Sequence, residues 1–344
     1  MSRIDDNRFS LQNWLAVATG ADRVEIINAK PLTGGAIQEN WRLECDITGG
    51  PNAGSHGYVL RSDAESIVAS SLTREQEFRV LKAVHKNGVT VPEPLWLCKD
   101  TKIIGSAFYI MQLVTGIGLG PKIVKDLSLG GDRQALGEAL GKELATIHAI
   151  RPPQAELEFL PLPTGNPAEE VIKQLRKQLD ELGEARPILE WGLRWAELNL
   201  PTNPKITLVH NDFRTGNYLL NQNGLTGILD WEFAEWGDPM SDIGWFCAKC
   251  WRFSRPDLEA GGITDRETFY KGYEAASGQT INKEAVSFWE VMAHIRWAVI
   301  ALQQTHRYMS GAQKSLELAL IGRILPSLEQ QVLKMTKPDN WRAA

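Results

Sequence analysis

Two short apolar runs that lead into polar clusters constrain this chain of 344 residues more than any other feature. The first is LVHNDFRTGNYLL at 208–220, and the second is GILDWEFAEWGDP at 227–239. Each polar cluster stands between apolar residues, a pattern that places polar side chains at the ends of buried strands. The candidate functional residues are therefore Asp212, Asn217 and Asp230.

These three side chains have the chemistry that phosphoryl transfer from a nucleotide requires. Asp212 is the candidate base, which would receive the proton of an acceptor hydroxyl. Asn217 and Asp230 offer amide and carboxylate oxygens, which are hard ligands that suit Mg²⁺, with waters and phosphates completing its shell. The two clusters therefore predict Mg²⁺-dependent transfer from ATP or GTP.

The spacing H-x-D-x-x-x-x-N, followed by a strand that ends in D-W-E, resembles the aminoglycoside phosphotransferase and choline kinase-like superfamily, whose fold is related to that of protein kinases. The run GDPMSDIGW at 237–245 is more similar to the small-molecule kinases, and no A-P-E-like segment of a protein kinase follows Asp230. Within the superfamily, the chain resembles the phosphotransferase group that includes the kinase-like domain of some acyl-CoA dehydrogenases. The resemblance runs from about residue 24 to about residue 250.

The resemblance implies an α+β, two-lobed protein-kinase-like fold, with a small antiparallel-sheet N-lobe that has one main helix and a larger, mostly helical C-lobe. The residue patterns agree with this architecture, because alternation in 39–47 predicts a half-buried strand and periodicity in 71–88 predicts a helix that stops at Gly88. Other strand patterns lie at 23–32, 58–62, 92–100 and 106–114, and other helical patterns lie at 132–150, 168–200, 241–253, 265–277, 282–310 and 312–335. We predict lobes at 1–114 and 115–344, joined by a hinge at about 109–117.

The resemblance also implies a phosphate-binding region in the first lobe. Gly34 and Gly35 lie in the turn between the first two strands, where their N–H groups could face phosphate oxygens. Arg61 on the third strand would pair with the phosphates, at a position where the family norm is Lys. Glu77 on the following helix would hold that cation, and Glu75 is the alternative.

The predicted hinge and the strands around it would hold the nucleotide base. By resemblance, the carbonyl of Gln112 and the N–H of Val114 would contact the edge of the base. Three apolar side chains would pack above and below its ring, and these are Val59, Leu219 and Leu229.

Several further polar residues are expected to support the site. His210 is predicted to orient the loop that carries Asp212, and Asp242 either caps a helix that begins at Ser241 or braces that loop. Glu232 is left open between a supporting role and an ion pair, and His148 is predicted to be a packed residue at a helix end.

Cys247 and Cys250 form a C-x-x-C motif that could indicate a metal or redox site. A structural zinc site needs four ligands, and the sequence has no second pair of this kind. The surrounding GWFCAKCWRF predicts a helix, which would place both thiols one turn apart in a core or groove. The four cysteines of the chain are too few for a disulfide framework.

Composition and charge narrow the class of partner. The formal net charge of −5 lacks the basic excess of a nucleic-acid-binding protein. Residues 245–310 show no acidic excess, which a site for polycationic aminoglycosides would have. The sequence therefore favours an apolar or anionic hydroxylated metabolite such as a hydroxyacyl species. A choline or ethanolamine acceptor is the alternative, because tryptophans suit a quaternary ammonium group. A catalytically weak, nucleotide-binding regulator also stays open, because Arg61 changes the geometry of the usual Lys.

The start of the chain and its hydropathy predict its location. Residues 1–20 carry acids and lack an apolar run, so we expect no signal peptide. No window reaches about 18 uninterrupted apolar residues, so we expect no membrane span and a cytoplasmic protein. The sequence leaves open whether the protein is a monomer or a homodimer.

Overall fold

A computed structural model describes four ranges of the chain, which are 3–32, 38–63, 71–313 and 315–338. The predicted glycine turn with Gly34 and Gly35 lies outside these residues. An antiparallel sheet of five strands precedes a mostly helical region, so the prediction of a two-lobed α+β fold is confirmed. The exact boundary between the lobes stays a prediction.

The sheet places Arg61 at its centre. Its strands are β1 (Arg23–Leu32), β2 (Gln38–Thr48), β3 (Gly54–Asp63), β4 (Pro94–Cys98) and β5 (Phe108–Gln112), in the spatial order β1-β2-β3-β5-β4. Arg61 pairs with Asn40 on β2 and with Tyr109 on β5. In β2, Leu43, Cys45 and Ile47 are buried while the residues between them are not, which is the two-residue period expected of a strand.

Three helices accompany the sheet: α1 (Arg3–Asp6), α2 (Arg8–Thr19) and α3 (Arg74–Lys86). The first turn of α3 is fixed by a capping box between Thr73 and Gln76, three residues after the predicted start. The sequence patterns did not predict α2. This helix buries Leu11 and Leu15 in a cluster with the sheet.

The C-terminal region contains nine helices among its described residues. They are α4 (Gly120–Lys125), α5 (Arg133–His148), α6 (Pro167–Leu182), α7 (Pro187–Leu198), α8 (Pro239–Cys247), α9 (Arg266–Ser277), α10 (Lys283–Met309), α11 (Leu316–Ile321) and α12 (Leu325–Thr336). The predicted single pattern at 168–200 is divided into α6 and α7, because Gly183 ends α6 with a left-handed backbone at φ 67°. A 3₁₀ turn at Gly322–Ile324 similarly separates α11 from α12.

Two short antiparallel strand pairs interrupt the helices and carry the polar clusters. The pairs are β6 (Thr207–Val209) with β9 (Glu235–Gly237) and β7 (Tyr218–Leu220) with β8 (Leu225–Ile228). Asn217 comes just before β7 and Asp230 follows just after β8. The N–H of Leu229 donates to the carbonyl of Asn217 at 2.8 Å, so the two ends of the hairpin lie side by side.

The core of the C-terminal region contains a close contact between two helices, α5 and α9, and one long buried helix, α10. Helices α5 and α9 approach closely through glycine, because a Cβ added to Gly272 would lie 2.0 Å from the carbonyl oxygen of Glu138. Helix α10 is long and apolar enough to pass a length and composition test for a membrane span. However, 78% of its apolar window is buried inside the protein, which is the environment of a core helix.

Candidate active site

The carboxylate of Asp212 is surrounded by hydrogen-bond donors. Its Oδ1 accepts from the indole Nε1 of Trp245 at 2.9 Å and from Nε of Arg214 at 3.2 Å. The amide nitrogen of Asn217 donates to Oδ2 and, at 3.0 Å, to the backbone carbonyl of Asp212. The side chain keeps 16% of its surface exposed, so the carboxylate is fixed by its donors but remains accessible from outside.

Asp242 holds the backbone of the loop from inside the core. Its two carboxylate oxygens accept from the N–H groups of His210 and Asn211, both at 2.7 Å, and Oδ2 also lies 3.2 Å from Nε2 of His148. Burial alone would raise the pKa of Asp242, but its hydrogen bonds and its interactions with the two histidines lower that pKa. A charged carboxylate therefore fixes two successive peptide groups next to Asp212.

The prediction that Asp242 caps a helix starting at Ser241 is wrong. Helix α8 begins two residues earlier, at Pro239, and Asp238 is its N-cap. The Asp238 side chain accepts from the N–H of Met240 at 2.9 Å. Of the two alternatives for Asp242, the contacts correspond to bracing of the loop.

His210 uses both ring nitrogens for contacts with the backbone. Nδ1 accepts from the N–H of Asp212 at 3.2 Å, which assigns the proton to Nε2, and Nε2 lies 2.8 Å from the carbonyl of Leu229. The ring is fully buried and lies 4.5 Å from that of Trp231. These contacts connect the Asp212 loop to the strand that leads to Asp230, in line with the predicted role of orienting the loop.

Asn217 and Asp230 present oxygen atoms that fit a magnesium ion. The amide nitrogen of Asn217 points to Asp212, and its Oδ1 has no partner among the described residues. The side chain of Asp230 is 28% exposed, and among the described residues its one ion-pair contact is from Oδ1 to Arg61, at 2.9 Å. The described ranges contain no cluster of three or more His, Cys, Asp or Glu suited to a metal. Two hard protein ligands, with water and phosphate for the other positions, match the coordination of Mg²⁺.

Arg61 and Glu77 form a buried ion pair across β3 and α3. Nε of Arg61 donates to Glu77 at 3.1 Å, and Nη2 lies 2.9 Å from the second carboxylate oxygen. Burial would lower the pKa of Arg61, but Glu77, Tyr109 and Asp230 raise it well above its ordinary value. Glu75, the alternative partner, instead forms an ion pair at the surface with Lys99.

Arg74 is part of this network and was not predicted from the sequence. Its Nη1 contacts Oε2 of Glu77, which is the oxygen that accepts from Nε of Arg61. Its Nε lies 2.8 Å from Asp63 at the end of β3. Glu77 therefore lies between two buried arginines. Glu232 is buried beside them, and burial raises its pKa to about 7, which Arg61 partly counteracts.

The predicted base-binding residues lie along one seam between the sheet and the β7–β8 hairpin. Gln112 ends β5 and Val59 is buried on β3 opposite Met111. A Cβ added to Gly227 in β8 would lie 3.4 Å from Val114, whose N–H has no partner in the described part of the chain.

Two further predicted residues lie on the hairpin side of the same seam. The half-buried side chain of Leu219 lies against Gly118, where an added Cβ would be 3.1 Å away. Leu229 is half-buried at the end of the same hairpin. Leu219 thus lies against the segment after β5, and contact of Val59, Leu219 and Leu229 with a base stays a prediction.

The predicted helix over GWFCAKCWRF is wrong in its second half. Helix α8 ends at Cys247, and Cys250 lies in a 3₁₀ turn at Lys249–Trp251. Burial raises the pKa of both thiols well above their ordinary value, so both stay protonated at neutral pH. Neither thiol therefore has the lowered pKa of an activated, nucleophilic cysteine.

The model of one protein family matches most of the length of the chain. The model described as a phosphotransferase enzyme family, APH, matches residues 28–289. The chain belongs to the phosphotransferase enzyme family. This membership confirms the predicted resemblance to the aminoglycoside phosphotransferases.

Two relatives show how members of the phosphotransferase enzyme family differ in length. Acyl-CoA dehydrogenase family member 11 from Pongo abelii is 28% identical over 300 residues, which cover 83% of this chain. The match spans only 38% of that longer protein. The 4-hydroxytryptamine kinase of Psilocybe cyanescens is 23% identical over 284 residues, which cover 74% of this chain and 75% of that kinase. The predicted similarity to a domain of some acyl-CoA dehydrogenases is therefore also confirmed.

Solved structures show the same fold over nearly the whole chain. A protein from Ralstonia eutropha, assigned provisionally as an aminoglycoside phosphotransferase, gives a TM-score of 0.74 at 24% identity and covers 96% of this chain and 98% of its own. The spectinomycin phosphotransferase APH(9)-Ia, in complex with ADP and spectinomycin, gives a TM-score of 0.62 at 14% identity, with coverage of 95% and 97%. At these identities the similarity establishes the fold.

Proposed function

We propose that the chain is a small-molecule kinase that transfers the γ-phosphate of ATP or GTP to a hydroxyl group of a metabolite. One observation carries the proposal: Asn217 donates to both the carboxylate and the carbonyl of Asp212, while the hairpin places Asp230 beside Asn217. This arrangement supports a site in which Asp212 is the proposed base and Asn217 and Asp230 are the proposed oxygen ligands.

Asp212 is the proposed base. As the acceptor oxygen forms its bond to the γ-phosphorus, its proton passes to the Asp212 carboxylate, and the bond from the γ-phosphorus to the bridging oxygen breaks to release the nucleoside diphosphate. Hydrogen bonds from Trp245 and Arg214 hold Oδ1, so the carboxylate does not need to reorient during the reaction.

Asn217 and Asp230 are the proposed ligands of Mg²⁺. When bound, the ion neutralises charge on the phosphate oxygens. Arg61 is the proposed phosphate-binding cation, since Glu77 and Asp230 orient its guanidinium at the edge of the same site. The segment after β5 is the proposed contact for the nucleotide base, because the N–H of Val114 has no partner among the described residues.

The acceptor is proposed to be a hydroxylated metabolite of apolar or anionic character, such as a hydroxyacyl compound. A relative named as a 4-hydroxytryptamine kinase supports a small hydroxylated molecule as the general class. A choline-like or ethanolamine-like acceptor is the alternative, supported by the tryptophans around Asp212.

The direct test is Mg²⁺-dependent transfer of labelled γ-phosphate from ATP and GTP to a panel of hydroxyacyl thioesters, hydroxy acids, cholines, sugars and hydroxylated amines. Asp212→Asn should abolish turnover but keep nucleotide binding, whereas Asp230→Ala should weaken the binding of Mg²⁺ and nucleotide together. Asp257→Asn is the matched control, because Asp257 is an exposed residue whose ion-pair partner in the described part of the chain is Arg255 alone.

Two results would change the proposal. If Mg-ATP binds normally but no phosphate is transferred and Asp212→Asn behaves as wild type, the chain is a nucleotide-binding regulator instead. If neither ATP nor GTP binds, the kinase proposal is wrong altogether.

A further inference from the structure

Two arginines beside the catalytic loop lie face-on against tryptophan rings. The guanidinium carbon of Arg214 is 4.7 Å from the centre of the Trp251 ring, and that of Arg296 is 4.8 Å from the centre of the Trp245 ring. Trp245 and Arg214 both donate to Asp212. We call the set Arg214, Trp245, Trp251 and Arg296 the arginine–tryptophan wall, and it adjoins the candidate base directly.

The wall has donors that no carboxylate uses. Nη1 of Arg296 donates to the carbonyl oxygen and the side-chain oxygen of Asn211, at 2.8 and 2.9 Å. Arg296 forms no ion pair within the described ranges. Arg214 binds Asp212 through Nε, and its terminal nitrogens have no hydrogen-bond partner among the residues that the structure describes. Positive charge and free N–H groups therefore remain next to the position of the reacting hydroxyl.

Other cations near the wall are already neutralised. Arg266 forms hydrogen-bonded ion pairs with Glu290 and Glu259, and Arg252 lies 3.5 Å from Glu290. This contrast distinguishes Arg296 from its neighbours. The carboxyl group that Arg296 influences is Glu235, whose pKa is raised by burial and lowered in part by that arginine.

The aromatic faces of the wall are already in contact with cations. A cage for a quaternary ammonium group needs aromatic faces that are open to the ligand. The faces of Trp245 and Trp251 instead hold Arg296 and Arg214, which would repel a second cation. The rings of Trp245 and Trp251 are tilted by 50° relative to each other, with centroids 5.1 Å apart, and provide apolar surface between the charges.

A buried donor adds to this excess. Trp251 is 5% exposed, and its indole Nε1 is inaccessible to solvent. This nitrogen has no hydrogen-bond partner in the described part of the chain. Buried donors normally have a partner, so a missing acceptor group is expected here. The wall thus combines unused donors, positive charge and apolar surface.

We infer that the arginine–tryptophan wall binds a negatively charged group of the phosphate acceptor, a carboxylate or a phosphate, with Arg296 as the residue that selects for it. The inference rests on the proposed kinase function and narrows its acceptor to an anionic hydroxylated compound with an apolar segment. The apolar segment lies along the tryptophans and the hydroxyl reaches Asp212.

The test is calorimetric titration of the protein saturated with Mg²⁺ and the β,γ-imido analogue of ATP, so that the entire triphosphate site is filled. The probes share one alkyl chain and differ in head group: hexanoate, hexyl phosphate, hexanol and hexyltrimethylammonium. We expect the two anions to bind most tightly, and the stronger of them identifies a carboxylate or a phosphate as the natural group. Arg296→Gln should weaken anion binding by about tenfold, since a charge-assisted hydrogen bond is lost.

Two further variants separate recognition from structure. Arg296→Lys keeps the charge and should retain part of the anion affinity, whereas a purely structural role would make it equivalent to Arg296→Gln. Arg307→Gln is the matched control, because Arg307 lies on the same helix and its guanidinium group donates to Gln304 and Gln313, with no ion pair among the residues that the structure describes. The affinity for the nucleotide analogue should not change in any of the three variants.

Several results would overturn the inference: equal or tighter binding of the cation or the alcohol, no binding of either anion, or unchanged anion affinity in Arg296→Gln. Weaker binding of the nucleotide analogue in that variant would assign Arg296 to the nucleotide instead. Failure of the analogue to bind wild type, with anions still bound, would refute the kinase proposal and leave the anion site standing.

Discussion

Replacing Glu77 with glutamine tests whether this residue holds the phosphate-binding cation. Glu77 is 1% exposed and contacts both Arg61 and Arg74, so the substitution removes the shared negative charge from two buried guanidinium groups. Breaking a buried ion pair by neutralising one partner costs about 3–5 kcal/mol. Because Arg61 keeps Asp230 and Arg74 keeps Asp63, we expect the lower end, about 3 kcal/mol.

The assay is equilibrium unfolding in urea, followed by circular dichroism, together with the KM for ATP. Glu77→Gln should lower the free energy of unfolding and raise the KM, because Arg61 loses its orientation. Glu75→Gln is the matched control, since Glu75 is on the same helix but is 42% exposed and pairs with Lys99 at the surface. That variant should lose less than about 1 kcal/mol.

Equal losses of stability in the two glutamine variants would refute this reasoning. They would mean that the buried network around Glu77 contributes no more than a surface ion pair. A large loss of stability in Glu77→Gln without any change in KM would separate the network from nucleotide binding.

The remaining predictions concern the loop anchor, a buried histidine and a helix contact. Asp242→Asn should lower kcat with little change in the KM for ATP. It should also cost about 1–3 kcal/mol of stability, because an amide leaves one buried loop N–H without an acceptor. An unchanged kcat would contradict this. Burial lowers the pKa of His294 to about 4, so the unfolded chain takes up this proton at a higher pH than the folded chain, and stability should fall as pH drops from about 6.5 towards 4. The free energy of unfolding should decrease between pH 7 and pH 5 by about 2 kcal/mol more in wild type than in His294→Asn. Equal decreases in the two proteins would exclude His294 as the origin. Gly272→Ala should cost at least about 1–3 kcal/mol in denaturant unfolding, because its Cβ would overlap the carbonyl of Glu138, whereas Gly165→Ala, with open space around it, should change stability by less than about 1 kcal/mol.

The five-stranded sheet was predictable because its strands carry a local signal. The alternation of apolar and polar residues in β2 and the stop signal Gly88 after α3 are both visible within a few residues of sequence. Helix α2 lacks such a signal, since Phe9 and Val17 are 75% and 84% exposed and put apolar residues on both of its faces. Leu11 and Leu15 form the buried face of this helix, and only their packing against the sheet distinguishes that face from the exposed one.

The candidate site was predictable to the extent that it is local in sequence. Asp212 and Asn217 are five residues apart, and their spacing alone indicates a shared loop. Arg296 contacts Asn211 from 85 residues away, and a lone arginine on a helix gives no sign of such a partner. Arg74 likewise occupies the first position of a helix, where a charged residue is normally solvated. The start of α8 was misplaced because Asp238 and Asp242 are both good caps, and only the fold shows which of them accepts from the helix.

The anchoring of the loop through Asp242 has a consequence for evolution. Asp242, His148 and Tyr273 hold the loop backbone through buried hydrogen bonds that come from the core of the helical lobe. Arg296 contacts the same loop at the carbonyl and side chain of Asn211, but it is not part of this anchor, so its exchange would leave the hydrogen bonds of Asp242 in place. A lineage can then acquire new acceptors through a few substitutions outside the anchor while the backbone that carries Asp212 stays fixed.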